Sequence, residues 1–284
     1  MAKRSDEFTR VEFGKSAFLE RRTDGAPIRF SATGRQHTTR HVHHSPKEPH
    51  YSFGADSDEE FAVMMLLDVS TFVVTYMAQP HRLVMEMTGR KPLEYYPDLE
   101  LKVPHWFVAE IQKRNKLFAK VALKLPPPRC QSDTLVSLVI EVKSEKDRRA
   151  SDPDYVEKIE RAKTAYTENG FYFFWLDFSP HMTCLDLNHL PSLQMDADAR
   201  WREAHSRRAW RHLDACAGKS TYGDLIRVLG GGPSGRELVN CLHMRGDIWV
   251  DMASDPDDKT RVAMPPLLRI DPQLAANIYA GSAA

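Results

Sequence analysis

The segment Ile140-Glu141-Val142-Lys143 sets a carboxylate and an ammonium group two residues apart at the end of the apolar run TLVSLVIEVK. In an extended chain the side chains alternate, so Leu138, Ile140 and Val142 face one side, and Val139, Glu141 and Lys143 the other. Charge at the end of a buried strand is costly unless it is paired or binds an ion. Phosphodiester hydrolysis needs such a pair. Mg²⁺ takes hard oxygen ligands, usually one or two carboxylates with waters and a substrate phosphate, and Mn²⁺ is the alternative ion. The ion polarises a phosphoryl oxygen and lowers the pKa of a bound water. A lysine beside it orients or deprotonates that water and offsets charge at phosphorus. Asp98, in the dipeptide Pro97-Asp98, is the candidate second carboxylate, and Glu60 the third. The expected catalytic set is Glu60, Asp98, Glu141 and Lys143, with Asp98, Glu141 and Glu60 as metal ligands.

Each piece alone has a plainer reading. Glu-x-Lys in a strand is ordinarily a surface ion pair, and Pro-Asp is ordinarily a turn. The ordered set is what points to chemistry. Ser57 and Glu60 have capping-box spacing ahead of an apolar run, predicting a helix over 57–68 that carries Glu60. The β-branched and aromatic residues of 72–87 predict a strand, a break at Gln79-Pro80 and a second strand. LEYYPDLELKV predicts a third strand with Asp98 inside it. Residues 105–124 read as one basic helix ended by PPPR. TLVSLVIEVKS reads as a strand buried on both faces, 153–168 as a helix opened by Pro153, and FYFFWLDF as another buried strand. The fold class expected is α/β: a restriction-endonuclease-like mixed sheet flanked by helices.

The flanks differ in character. Residues 1–50 are polar and basic, with His37, His41, His43 and His44 in RQHTTRHVHH, and predict an arm without packing of its own. After about residue 180 come two helices, a Gly-rich turn at 230–232 read as a helix C-cap, a further helix and two short strand candidates around SDPDD. That is the outline of a winged-helix-like C-terminal domain over 181–284. The expected nuclease domain is 51–180, with an apparent insertion at about 105–130.

The 284 residues are 42% hydrophobic and 27% charged, with a formal net charge of +0, so bulk charge gives no support to nucleic-acid binding. Distribution matters more. Lys113, Arg114 and Lys116, then Lys158 and Arg161 beside the expected site, and Arg207 and Arg208 further on, are the candidate phosphate contacts. Cys130, Cys184, Cys216 and Cys241 form no CxxC pair, which argues against a paired-cysteine zinc site or a disulfide framework. No apolar run has the length of a membrane span, and the chain starts without a signal-peptide pattern, so a cytoplasmic protein is expected.

The string Asp56, Ser57, Glu60, Asp68, Gln79-Pro80, Pro97-Asp98 and Glu141-Val142-Lys143 resembles the catalytic domain of the TnsA endonuclease family, within the PD-(D/E)XK superfamily. The likeness covers roughly residues 35–180. It departs from the family in the long segment between Asp98 and Glu141, and in having Glu141 where glutamine is frequent. The resemblance implies the 5′-end-cutting subunit of a heteromeric bacterial transposase acting on transposon ends. Its implied partners are a DDE-type transposase subunit and an AAA+ ATPase regulator, and its implied place is the nucleoid when DNA-bound. Two other readings stand beside it: a stand-alone repair or restriction-type nuclease, and a non-catalytic DNA-binding or assembly protein on a decayed nuclease fold.

Overall fold

The computed structural model describes residues 7–14, 16–29, 41–113, 117–124, 134–145, 147 and 152–264, and is a mixed α/β structure with several antiparallel and mixed sheets. Strands β1 (Phe8–Glu12), β2 (Ala17–Arg22), β3 (His41–His44) and β4 (Ser52–Ala55) lead to helix α1 (Asp58–Val69). The Ser57 side chain accepts from Glu60 N–H and caps α1, as the spacing predicts. Then follow β5 (Thr75–Ala78), β6 (Arg82–Met85), β7 (Leu93–Tyr95), β8 (Leu99–Pro104), α2 (His105–Ile111), α3 (Phe118–Leu123), β9 (Leu135–Lys143), α4 (Pro153–Glu168) and β10 (Tyr172–Asp177).

The central sheet has the order β10-β9-β8-β5. β8 is antiparallel to both β5 and β9, and β10, reached through α4, runs parallel to β9. Leu138, Ile140 and Val142 point into the larger core with Val63, Met64, Leu66 and Leu67 of α1. Val139 points into a second core with Tyr155, Ile159, Ala162 and Tyr166 of α4. The alternation read from the sequence is therefore real, and Glu141 and Lys143 lie on the α4 side. β10 lies at the end of the sheet and is only half-buried, not buried on both faces as expected, because nothing among the described residues pairs with its outer edge.

A second sheet, β1-β2-β6-β7, covers the α4 side of the central sheet. The expected unpacked arm is corrected here: residues 8–22 are two of its strands, and 41–44 pair with β4. Buried charges lock the two sheets together. Arg21 of β2 reaches Glu100 of β8 at 2.7 Å, and His81 Nδ1 stands 3.1 Å from the same carboxylate oxygen. The histidines serve structure as well: His43 Nε2 lies 2.7 Å from the buried Asp68, which also accepts from Ser45, Tyr76 and Gln194. His41 pairs with Asp58, and His37 lies outside the described residues.

Asp98 is not inside a strand. The chain leaves the central sheet after β5 at Gln79-Pro80 and returns to it at Pro97-Asp98, with β6 and β7 belonging to the outer sheet. Pro97 has no N–H to give a ladder, which suits a crossing point. The expected single helix over 105–124 is two helices. Unbroken, it would hold Phe107 and Phe118 about 16 Å apart along its axis; the break lets their rings meet, with centroids 5.9 Å apart. Phe107, Val108, Phe118 and Val121 are buried in the main core.

The C-terminal part adds α5 (Phe178–Met182), α6 (Leu190–Asp196), α7 (Glu203–Ala215), β11 (Ser220–Thr221), α8 (Tyr222–Val228), α9 (Gly232–Met244), β12 (Trp249–Val250) and β13 (Arg261–Ala263). The three short strands form one sheet, β11-β13-β12. The glycine run does turn the chain between α8 and α9, with positive φ at Gly230, Gly231 and Gly232. Leu242, Trp249 and Val262 share one buried cluster with α1 and β9, so the core runs on without a gap past residue 180. Among the described residues no helix is long and apolar enough to cross a membrane.

Candidate active site

The two crossing points, the start of α1 and the end of β9 surround one pocket of about 330 Å³. Glu60, Asp98 and Glu141 all line it, together with Asp56, Gln79, Tyr95, Tyr155 and Lys158. Three of the four residues expected to do chemistry thus converge, although they come from a helix, a crossing and a strand. The fourth, Lys143, stands behind them, with Nζ 2.8 Å from Glu141 Oε1 and 3.1 Å from Asp147 Oδ2.

Each carboxylate has its own anchor. Leu99 pairs with Ile140 across the sheet, so Asp98 arrives opposite the end of β9, where its Oδ2 accepts from Val142 N–H at 2.7 Å. Glu60 Oε2 accepts from Asp56 N–H at 3.0 Å, reaching back over the helix start. Glu141 is 4% exposed and takes hydrogen bonds from Tyr95, at 2.6 Å, and from Tyr155. Neither tyrosine was singled out in the sequence.

The electrostatics follow from crowding like charges in a partly dry space. Burial, reinforced by the charges of Glu141 and Glu60, holds the Asp98 carboxyl well above the usual aspartate range. Burial also raises Glu60 to about 7; the hydrogen bond from Asp56 N–H opposes this, and the charges of Asp56 and Glu141 add to it. Burial works against the Lys143 ammonium, but the charge of Glu141 and hydrogen bonds to Glu141 and Tyr155 outweigh it, lifting its pKa above the usual lysine value. Lys143 therefore stays protonated at neutral pH. As placed, it is a positive charge held against Glu141.

A hydrated divalent cation fits this donor set. Burial first, and then repulsion by neighbouring carboxylates, raises Asp98 and Glu60, and a cation beside them would offset that repulsion. Among the described residues no group of three or more histidine, cysteine, aspartate or glutamate side chains is placed to hold a metal ion. Mg²⁺ does not require one, since it keeps several waters and uses one or two carboxylates. Asp98 and Glu60 are the carboxylates that would have room for such an ion. Glu141 already has three donors on its two oxygens, leaving about one of its roughly four acceptor positions.

Gln79 completes the wall. It is 6% exposed, with φ 45°, a backbone conformation that a glutamine rarely adopts. Such strain costs on the order of 1–3 kcal/mol. Gln79 N–H donates to the Asp98 carbonyl at 2.8 Å, and the Gln79 carbonyl accepts from Ile28 N–H at 2.9 Å.

The candidate phosphate contacts divide. Lys158 lines the pocket, and so does Arg29, which belongs to the segment expected as an arm and was missed; its guanidinium lies 4.8 Å from the Tyr96 ring centroid. Lys113 is paired with Glu110, Arg161 with Glu157 at 2.8 Å and Arg207 with Glu203 at 3.4 Å. Arg208 donates to the Val228 carbonyl. None of these four lines the pocket. Arg114 and Lys116 lie outside the described residues.

No protein-family model matches the chain, and no curated protein matches it.

Proposed function

We propose that this chain is a Mg²⁺-dependent DNA endonuclease, the subunit of a heteromeric transposase that cuts the 5′ ends of the element. The convergence of Glu60, Asp98 and Glu141 on one pocket, with Lys143 against Glu141, carries the reading. Supporting it is the order of elements around the sheet: a helix, three antiparallel strands, a helix and a strand parallel to the third. That is the order expected of a restriction-endonuclease-like fold.

A bound divalent cation would supply Lewis acidity at a phosphoryl oxygen and a more acidic water. The residues of the chain do the rest. Asp98 and Glu60 hold the hydrated ion, and Glu141 closes the set. Tyr95, Tyr155 and Lys143 fix the Glu141 carboxylate in one orientation. Arg29 and Lys158 bring positive charge to the pocket wall, where a DNA backbone phosphate is received. Helices α7, α8 and α9 and the small sheet of the C-terminal part serve as a winged-helix-like module for the partner subunits and DNA.

The test mixes purified chain, a DDE-type transposase, element-end DNA and Mg²⁺. Strand cuts at the 5′ ends should appear with the wild type and vanish with Asp98→Ala. Cuts that persist in that variant place the chemistry elsewhere.

One observation favours a second reading, a non-catalytic DNA-binding or assembly protein on a nuclease scaffold. Three donors engage Glu141, as they would a purely structural buried carboxylate. Cation binding that is indifferent to Asp98→Asn selects this second reading.

A further inference from the structure

Gln79 stands out among the pocket residues because its side chain is unexplained by packing. It is 6% exposed, it lines the carboxylate pocket, and its Oε1 accepts no hydrogen bond from any described residue. A buried acceptor left unpaired is rare in a folded protein and calls for a partner. Its amide nitrogen faces Asp56 Oδ2 at 3.5 Å, which turns the oxygen away from that carboxylate. The backbone is clamped from both sides, to Asp98 O and from Ile28 N, in a conformation that glycine would adopt without strain. A residue chosen for backbone comfort would be glycine here. A glutamine kept at φ 45° is kept for its side chain.

We infer that Gln79 is a further ligand-bearing residue of this pocket, its neutral amide oxygen holding the divalent cation or a water of its hydration shell. This deepens the proposed nuclease reading and rests on it. The chemistry is that of a hard, uncharged oxygen, which Mg²⁺ and Mn²⁺ accept beside carboxylates. It adds an acceptor to a site already crowded with negative charge without adding another charge. That distinguishes it from Asp56, Glu60, Asp98 and Glu141, whose mutual repulsion grows with each member.

The experiment titrates the full chain with Mn²⁺ by calorimetry at about neutral pH, comparing wild type, Gln79→Gly, Gln79→Glu and Asp98→Asn, with thermal unfolding run in parallel. Gln79→Gly relieves the backbone and removes the oxygen. It should unfold at the wild-type temperature or above, yet bind Mn²⁺ about 10-fold more weakly, the scale on which supporting groups affect metal sites. Gln79→Glu keeps an oxygen in place. It should retain binding and release more protons per ion bound, a change that a merely structural role would not produce. If wild type and Gln79→Gly bind equally while Asp98→Asn does not bind, this inference falls and the nuclease reading stands. If the wild type itself does not bind Mn²⁺, both fall together.

Discussion

Gln79 N–H donates to the carbonyl oxygen of Asp98 at 2.8 Å, so the two points at which the chain crosses between its sheets are tied to each other. The Gln-Pro and Pro-Asp dipeptides, nearly twenty residues apart in sequence, are one structural feature. That feature sets a carboxylate at the mouth of β9, next to Glu141, and makes the pocket a product of the crossing.

Carboxylates that hold protons in the folded state should make the metal-free protein less stable as pH rises. The Asp98 carboxyl is raised well above its usual range and Glu60 to about 7. Between roughly pH 4.5 and 7 these two groups hold more protons in the folded chain than in the unfolded one, and their contribution to stability falls as pH rises across that window. Comparing thermal unfolding of wild type with Glu60→Gln isolates the effect, because His81 and His243 contribute equally to both. The wild type should lose more stability over the window, and added Mg²⁺ should restore it more at its upper end than at its lower. Parallel curves would remove the electrostatic account of the pocket.

Lys143→Met should destabilise the fold by about 3–5 kcal/mol, because it strands the buried Glu141 carboxylate. Loss of cutting in that variant alone is therefore ambiguous. In the double variant Glu141→Gln, Lys143→Met, most of the stability should return while cutting does not. Chemical denaturation reads the first quantity and strand cleavage the second. If the double variant is as unstable as the single one, the pair is not coupled as described.

Arg29→Ala and Lys158→Ala should each weaken DNA binding and lower the salt slope of log K by about 1, leaving Mg²⁺ binding unchanged. Arg161→Ala and Lys113→Ala, whose charges are already matched by Glu157 and Glu110, should do much less. Fluorescence anisotropy at several salt concentrations separates the two pairs. Equal effects in all four would mean that phosphate contact is spread over the surface rather than focused at the pocket.

Arg21→Ala should cost about 3–5 kcal/mol, since it leaves Glu100 buried without its guanidinium partner. Because β2 and β6 help to close the α4 side of the central sheet, the loss should appear as global unfolding at lower denaturant rather than as fraying of the N-terminus. Wild-type stability in this variant would show the outer sheet to be dispensable.

Local signals in the sequence carried some of this structure and not the rest. Side-chain alternation was enough to put Glu141 and Lys143 on one face, and Ser57 with Glu60 was enough to start α1. The nearness of Glu60, Asp98 and Glu141 was legible only as an order of motifs, since no local rule relates them. Strands β1 and β2 of the outer sheet were not legible, because FTRVE and AFLERR interleave charges with apolar residues and the partner that buries Arg21 lies 79 positions away. For the same reason Arg29 was lost with the supposed arm. Tyr95 and Tyr155 were hidden by their ambiguity: a tyrosine ring packs like any aromatic, and only the fold reveals which carboxylate its hydroxyl meets. The break between α2 and α3 was set by tertiary packing of Phe107 on Phe118, which helix propensity does not encode.

Calorimetric titration of the full chain with Mg²⁺, wild type against Asp98→Asn, tests the central claim most directly because it needs neither partner subunits nor a known DNA end. The wild type should show saturable binding. Asp98→Asn, which still offers an oxygen to Val142 N–H, should unfold at a similar temperature and bind about 100-fold more weakly or not at all. Equal binding by the two proteins, or none by the wild type, would contradict the account.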